Sequence, residues 1–374
     1  LEEHLAGAPQ NVDFLRMPAN VTAEAFPETA AKWGTYVPGL FGPHPTLNNE
    51  LGNLPWFLGL APWVGEEKLD LVESEVASCV RELDLRTACL RRELTWRTAA
   101  GPQLHVVFER FVSGARPALS VQRCLIRADV DVTVGLRAGI DADVRTSGFD
   151  HLQETALAPV GADAVACTVR TNGGDTCTML TRLRAADAAW SYTAEERSAE
   201  RAAEIALPAG GTLAVEKRTA VATSRDRDPV TPDAVLDAAA DLSFEALQAE
   251  HAGVWAERWA RCDVEVDGDA RTQIALRASI FHLLRAHPDD DRVAIDAKGY
   301  AGDAYFGRFF WDTELYLLPF FLYTDPDRAR AFCEFRRTTL EGAQRNATRY
   351  GYPGARYAWE SDHRGDECCP SWQY

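Results

Sequence analysis

The sequence predicts a multidomain β-then-α chain: an N-terminal antiparallel β-sandwich, a helical linker, and the opening helices of an all-α domain. Three observations carry this. Over residues 69–213 apolar and polar residues alternate at a period of two, with turn signals between the runs. After Thr223 the apolar spacing lengthens to that of a helix. Between the two stands a charged break, Ser224-Arg225-Asp226-Arg227-Asp228-Pro229. These observations place the sandwich over 1–223, the helical linker over 224–265 and the helical domain over 266–374.

In chain order, residues 90–97 and 104–112 flank Ala100-Gly101-Pro102 and read as a hairpin. Residues 119–126 and 132–137 continue the alternation, followed by 164–169, 176–180 and 190–193, with Gly173-Gly174 turning the chain. So many short strands with turns between them argue for a large antiparallel sandwich. Pro232-Asp233-Ala234 opens a helix through Leu236, Ala240, Phe244, Leu247 and Val254 to Trp255 and Trp259. Its Ala, Glu and Leu content favours that state. A second helix covers 269–286, with Ile274, Ala278, Phe281 and Leu284 at three- and four-residue spacing. Thr324-Asp325-Pro326-Asp327 starts a third, its proline inside the first turn, which runs to about Tyr350 and ends at Gly351-Tyr352-Pro353-Gly354. Three or four helices cannot enclose a pocket in an all-α domain, so the chain reads as one cut within that domain.

Composition narrows the function. The 374 residues suffice for two or three domains, and 25% charged with 46% apolar residues is ordinary globular usage. A net charge of -17, from 39 basic and 56 acidic side chains, repels phosphate backbones, so no nucleic-acid partner is expected. The densest apolar stretch, 309–323, carries Asp312 and Glu314, so no membrane span is expected either. The opening Leu1-Glu2-Glu3-His4 shows neither the basic leader nor the apolar core of a signal peptide. Nine cysteines occur with no C-x-x-C spacing, and Cys368-Cys369 are adjacent. That pattern fits reduced thiols in a cytoplasmic protein, with no bound metal and no cofactor.

The chemistry concentrates at Tyr305-Phe306-Gly307-Arg308-Phe309-Phe310-Trp311-Asp312-Thr313-Glu314 and at Trp359-Glu360-Ser361-Asp362, with Gly365-Asp366-Glu367 behind it. Carboxylates among apolar residues are costly unless paired or hydrogen-bonded. Beside aromatic rings they suit a sugar, whose hydroxyls donate to carboxylates. The plainer reading is a pair of core segments with capped acids. Trp311, Asp312, Trp359 and Glu360 are the candidate substrate contacts, with Arg308, Glu314 and Glu367 as support. On a helix Asp312 and Glu314 would diverge, whereas in extended backbone they would share a face. Glu314 is then either a second ligand or a structural acid. Arg308 would neutralise Asp312, hold the acidic site together, or lie on the surface. Two carboxylates around a sugar invite glycosidase chemistry, but the sequence does not choose the proton donor. Ser224, Ser361 and Ser371 lie in no nucleophile elbow, and neither HExxH nor a glycine-rich strand-to-helix loop is present.

Residues 307–314, followed by Leu318-Pro319-Phe320-Phe321-Leu322-Tyr323-Thr324-Asp325-Pro326, carry a resemblance. Arg336-Arg337-Thr338-Thr339-Leu340, Gly351-Tyr352-Pro353-Gly354-Ala355 and Trp359-Glu360-Ser361 extend it, and weaker matches run through Leu51-Gly52-Asn53-Leu54-Pro55 and residues 81–86 and 109–113. The chain resembles glycoside hydrolase family 65, which contains maltose, kojibiose, nigerose and trehalose phosphorylases, acid trehalases and related α-glucosidases. The resemblance implies a β-sandwich, a helical linker and the first part of an (α/α)6 barrel. It also implies inverting cleavage of an α-glucosidic bond in a glucose disaccharide, by phosphorolysis with inorganic phosphate as co-substrate or by hydrolysis. Trp311 and Asp312 match positions that hold the glucosyl unit, and Trp359-Glu360 match positions lining the same pocket. The family commonly has His where this chain has Arg308. Its general-acid glutamate lies in a Gly-Pro-Asp-Glu-Tyr segment that these 374 residues do not contain, and its phosphate loop lies later still. Neither Glu360 nor Glu367 takes that role, so the catalytic acid is unassigned and the isolated chain is expected to be inactive. A second copy, or a companion fragment with the rest of the barrel, is the expected macromolecular partner. The runner-up is a carbohydrate-binding or structural protein with an incomplete barrel.

Overall fold

The computed structural model describes residues 34–301 and 304–369. Strands run up to Thr223, and the first α-helix of the part that follows starts at Pro232. The architecture is a β-sandwich followed by a helical region that forms part of an (α/α) barrel.

The larger sheet has eight strands, all antiparallel neighbours. In spatial order they are β10 (Leu152–Val160), β11 (Ala164–Thr171), β12 (Thr176–Ala185), β15 (Thr212–Thr223), β8 (Leu119–Ala128), β7 (Gln103–Val112), β6 (Cys89–Arg97) and β5 (Glu75–Asp84). The smaller sheet orders β13 (Ser191–Ala194), β14 (Ser198–Leu207), β9 (Val132–Asp141), β3 (Leu60–Val64) and β4 (Glu67–Lys68). The period-two pattern explains the packing: Leu94, Trp96, Leu104, Val106, Cys124 and Ile126 from one sheet meet Val134, Leu136 and Ile205 from the other in one buried cluster. Lys217 of β15 crosses this interior, fully buried, and donates to the carbonyls of Gly59 (2.7 Å) and Gly139 (3.0 Å) on the facing layer. Burial pulls its ammonium down to about 7.

A separate hairpin, β1 (Phe41–His44) and β2 (Asn48–Leu51), precedes both sheets. Together with β3 and β4 it lies upstream of the alternating stretch. These are runs of two to five residues interrupted by Gly42, Pro43 and Pro62, too short for a period to show.

Helices α1 (Pro232–Asp237) and α2 (Phe244–Cys262) replace the single helix expected over 232–259. Ser243 explains the break, because its extended backbone and hydroxyl cap the amide of Ala246 and start a new helix. Leu236, Ala239, Phe244 and Leu247 pack with Phe111, Leu119 and Val121 of the larger sheet. α3 (Ala270–Ala286) begins at its Asp269 cap, as its spacing predicts. The helix expected over 326–350 divides as well, into α5 (Pro326–Thr338) and α6 (Leu340–Arg349), after the short α4 (Leu318–Thr324). At the division the Thr339 hydroxyl bonds back to the carbonyl of Phe335 (2.8 Å). The bend brings Gly342 against residues 364–365, so close that a Cβ there would stand 2.2 Å from the Arg364 carbonyl oxygen.

The helical core joins both parts of the chain. Phe309, Phe321, Phe332 and Phe335 cluster with Trp255 and Phe281, and also with Phe41 and Leu51 of the hairpin. All nine cysteines are free, seven of them buried, with Cys79 and Cys333 exposed. Among the described residues no helix is long and apolar enough to cross a membrane.

Candidate functional site

The segment leading to Trp311 has an unusual backbone. Tyr305, Phe306 and Gly307 all adopt positive φ (57°, 60° and 64°), a left-handed turn that is costly for two aromatic residues. Gly307 permits it, because a Cβ there would lie 2.4 Å from the Leu51 Cβ of the hairpin. The turn delivers the chain into a short antiparallel pairing in which the Phe309 and Ser361 backbones exchange hydrogen bonds, both at 2.9 Å. Two residues along each strand from that pair stand Trp311 and Trp359. The register therefore explains why their rings meet, with centroids 5.2 Å apart and planes at 89°. Phe310 packs edge-on against Trp359 at 5.5 Å. Each indole remains about two-fifths exposed, Trp311 at 44% and Trp359 at 40%, so together they form an open aromatic corner.

After Trp311 the chain turns into a π-helical turn, Thr313–Leu317, that runs on into α4. The Thr313 hydroxyl pins its start to the Ile295 carbonyl (3.1 Å). The helical geometry separates the two acids. Glu314 turns to Arg336, which grips it through Nε (2.8 Å) and Nη2 (2.9 Å) and also reaches the Phe310 carbonyl (3.2 Å). It is a structural acid here. Asp312, half-buried beside Trp311, makes no capping bond, and among the described residues its carboxylate has no hydrogen-bond partner.

The second acid pair is organised differently. Glu360 is buried and accepts from Arg308 Nη1 at 2.7 Å. Arg308 is itself fully buried, stacks over the Phe306 ring (4.4 Å), and donates to the hairpin carbonyls of Asn49 (2.9 Å) and Leu47. Arg308 therefore neither neutralises Asp312 nor lies on the surface. It ties the Glu360 loop to the N-terminal hairpin. Glu367 is a backbone acid, accepting from the amides of Trp359, Glu360 and Cys369, each at 3.2 Å, and from Arg356 Nη1 (3.1 Å). Asp362 binds the amides of Arg364 (2.8 Å) and Asp366 (3.2 Å) and the Asn49 side chain (2.7 Å).

Charge around the corner is shaped mainly by burial. His363, stacked on Phe41 at 5.6 Å, is pulled down to about 4 by burial and then by Arg225 and Arg364. Asp296, one residue past the carbonyl that holds Thr313, is pushed up to about 6 by burial; its Oδ1 accepts from the Tyr300 amide. Burial also raises the Cys368 thiol to about 12, which makes it an inert group. Among the described residues no cluster of His, Cys, Asp or Glu is arranged to hold a metal ion.

The structure thus brings the Trp311 and Trp359 rings to one open corner, with Asp312 next to Trp311 in the chain, while Glu360, Glu367, Glu314 and Arg308 are engaged in ion pairs and backbone hydrogen bonds. The supporting roles of Asn49, Asn346, Arg336 and Arg356 are not legible in the sequence, although Arg336 lies in a segment that carries the family resemblance. Asn346 receives the Glu367 amide and donates to the Gly365 carbonyl (3.0 and 2.9 Å). Their partners lie from 10 to 313 positions away in the chain, and no local spacing signals such pairs.

The family model described as glycosyl hydrolase family 65, N-terminal domain, matches residues 17–258, and that of the family's central catalytic domain matches residues 277–374. A kojibiose phosphorylase of Halothermothrix orenii is 32% identical over 359 residues, covering 90% of this chain and 46% of that protein. A 1,2-alpha-glucosylglycerol phosphorylase of Bacillus selenitireducens is 34% identical over 303 residues, covering 80% of this chain and 40% of its own length. The chain therefore spans less than half the length of these relatives. A solved structure described as a putative kojibiose phosphorylase from human microbiome superposes with a TM-score of 0.84 at 24% identity, over 92% of this chain and 48% of the other, and so shares its fold. With the family's two models matching in succession along its length, this chain belongs to glycosyl hydrolase family 65.

Proposed function

We propose the division 1–223 sandwich, 224–265 linker and 266–374 first part of the barrel of an inverting α-glucoside phosphorylase, of which residues 1–33, 302–303 and 370–374 lie outside the described residues. In this reading Trp311, Asp312 and Trp359 hold the glucosyl unit. One observation carries it: Asp312, whose carboxylate has no hydrogen-bond partner among the described residues, directly follows Trp311, one of a right-angled pair of half-exposed indoles. Indole faces cover the C–H surfaces of a pyranose, and a carboxylate accepts hydroxyl hydrogen bonds that are charge-assisted. The several relatives whose names say phosphorylase favour phosphate over water as the nucleophile.

The chemistry then balances as a single displacement. Inorganic phosphate attacks the anomeric carbon as the bond to the glycosidic oxygen breaks, and that oxygen takes a proton from a general acid. The products are β-glucose 1-phosphate and the released acceptor. Asp312 would fix the ring by its hydroxyls while positive charge develops at the anomeric centre. Glu360 acts through position, since Arg308 neutralises it and anchors its loop. The proton donor belongs to the Gly-Pro-Asp-Glu-Tyr segment, which is not among these residues. That observation favours a second reading for this chain by itself, a sugar-binding module without turnover.

Incubation with kojibiose, nigerose, maltose and trehalose, with and without phosphate, tests both. β-Glucose 1-phosphate formed only with phosphate is the expected result for the whole enzyme. Free glucose released regardless of phosphate means hydrolysis. Sugar binding without cleavage by these 374 residues supports the second reading.

A further inference from the structure

The outer face of the smaller sheet carries a second feature, separate from the indole corner. On β9 the buried residues Val134, Leu136, Ala138 and Ile140 face the core, so Gly135, Arg137, Gly139 and Asp141 face outward. Register extends this face sideways. Ala61 and Ala202 flank Arg137, Glu200 lies beside Gly139, and Ser198 beside Asp141. Trp63 lies beside Gly135, with Lys68 beyond it. Thr193 follows Glu200 on β13. The small residues make a floor and the long ones make walls, enclosing a cavity of about 360 Å³ whose lining also includes Trp56 and Glu195. That volume lies within the roughly 300–1,000 Å³ of small-molecule sites.

The polar groups on its walls are mixed in kind. Arg137 stands over the Trp63 ring at 4.1 Å, which holds the guanidinium beside the floor. Among the described residues neither the Lys68 ammonium nor the Glu200 carboxylate has an ion-pair partner. Among the described residues the buried Trp63 indole N–H has no acceptor.

We propose that this trough binds a neutral oligosaccharide. Three acids, Asp141, Glu195 and Glu200, line it against two cations, Arg137 and Lys68, so an anionic ligand meets net repulsion. A hydroxyl both donates and accepts, and so is served by the carboxylates and by the Arg137 and Lys68 cations that line the trough. Trp56 and Trp63 supply apolar surface for the sugar's C–H groups. None of these residues belongs to the Trp311/Trp359 corner, and the inference stands whether or not that corner turns over a disaccharide.

Isothermal titration of the full chain with maltotriose and with cellotriose tests it. The corner is first silenced with Trp311→Ala/Trp359→Ala. At least one of the two sugars is expected still to bind, and Glu200→Gln or Trp63→Ala in that background should weaken binding by about tenfold or more. Glu200→Gln alters only a partly exposed group, so its loss of binding at an unchanged melting temperature separates recognition from folding. The trough is refuted if neither sugar binds the silenced protein, or if binding survives both substitutions unchanged.

Discussion

The loop that carries Asp312 and the loop that carries Glu360 each place an indole on the same corner, yet they treat their carboxylates in opposite ways. Asp312 stands half-buried with no partner among the described residues. Glu360 lies beneath the surface in an ion pair with a fully buried arginine, and Glu367 binds its backbone amide from behind. The difference comes from what lies behind each loop. Behind Glu360 stands the N-terminal hairpin, whose carbonyls at Leu47 and Asn49 give Arg308 the acceptors that make its burial tolerable. The helical turn after Asp312 diverts the neighbouring cation, Arg336, to Glu314 instead. One carboxylate is left without a hydrogen-bond partner among the described residues and the other is committed to the framework.

The largest expected effect follows from that commitment. Arg308→Met leaves Glu360 buried without a counter-charge and should cost about 3–5 kcal/mol in urea unfolding. The double variant Arg308→Met/Glu360→Gln should recover much of the loss, because the stranded charge is gone. A single-variant loss below about 1 kcal/mol, the range of an exposed pair, would show that the pair does not anchor this loop.

Glu367→Gln comes next. The carboxylate serves three amides and a guanidinium with two oxygens, whereas an amide side chain offers one oxygen and turns donors toward donors. A loss of about 2–3 kcal/mol is expected, read as a lower urea midpoint with an unchanged slope. A midpoint equal to wild type would mean that the Trp359 loop is held by Arg308 alone.

Much of this contrast lay outside the reach of the sequence. The sandwich was legible because each strand repeats an alternation that a two-sided layer demands, as in Leu94 and Trp96 against Leu104 and Val106. The aromatic-acidic segments were legible as chemistry, since Trp-Asp and Trp-Glu stand out in an apolar run. Their division into ligand and support was not. It depends on whether residue 312 is helical, which Thr313 and the Ile295 carbonyl decide, and on a hairpin some 260 positions upstream of Arg308. The helix breaks at Ser243 and Thr339 escaped for a related reason: a cap or a back-bonded hydroxyl interrupts an apolar period without erasing it.

The pH dependence separates the two sides of the Glu360 anchor. The pKa of His363 in the fold, about 4, lies below the ordinary value near 6.5. Its contribution is therefore complete above about pH 6.5 and is lost as pH falls toward 4, with about 2 kcal/mol at stake after allowance for its partial exposure. His363→Phe, which keeps a ring against Phe41, should flatten that slope. His151, behind the hairpin, behaves oppositely. Burial opposes its charge, but the Glu50 bond at 2.8 Å and then Asn172 outweigh that and raise its pKa. Its contribution is present below about pH 6.5 and is lost as pH rises through the raised value. Urea midpoints from pH 4 to 8 for wild type, His363→Phe and His151→Gln would show slopes altered at opposite ends of the range. Alteration at the same end would contradict the assignment.

The smallest structural effect belongs to Asp312. A half-buried carboxylate with no hydrogen-bond partner among the described residues contributes little to folding, so Asp312→Asn should change stability by no more than about 0.5 kcal/mol. The same change converts a charged acceptor into a neutral amide at the point where the glucosyl hydroxyls are proposed to bind. In the whole enzyme it should remove about 2–3 kcal/mol of transition-state binding, seen as a fall in kcat/KM on the disaccharide that the enzyme cleaves. Glu360→Gln supplies the counterpart, with folding impaired by the lost Arg308 pair before any sugar is added. If Asp312→Asn instead unfolds the protein while activity per folded molecule stays unchanged, the roles of the two acids are reversed and the open carboxylate is a framework residue after all.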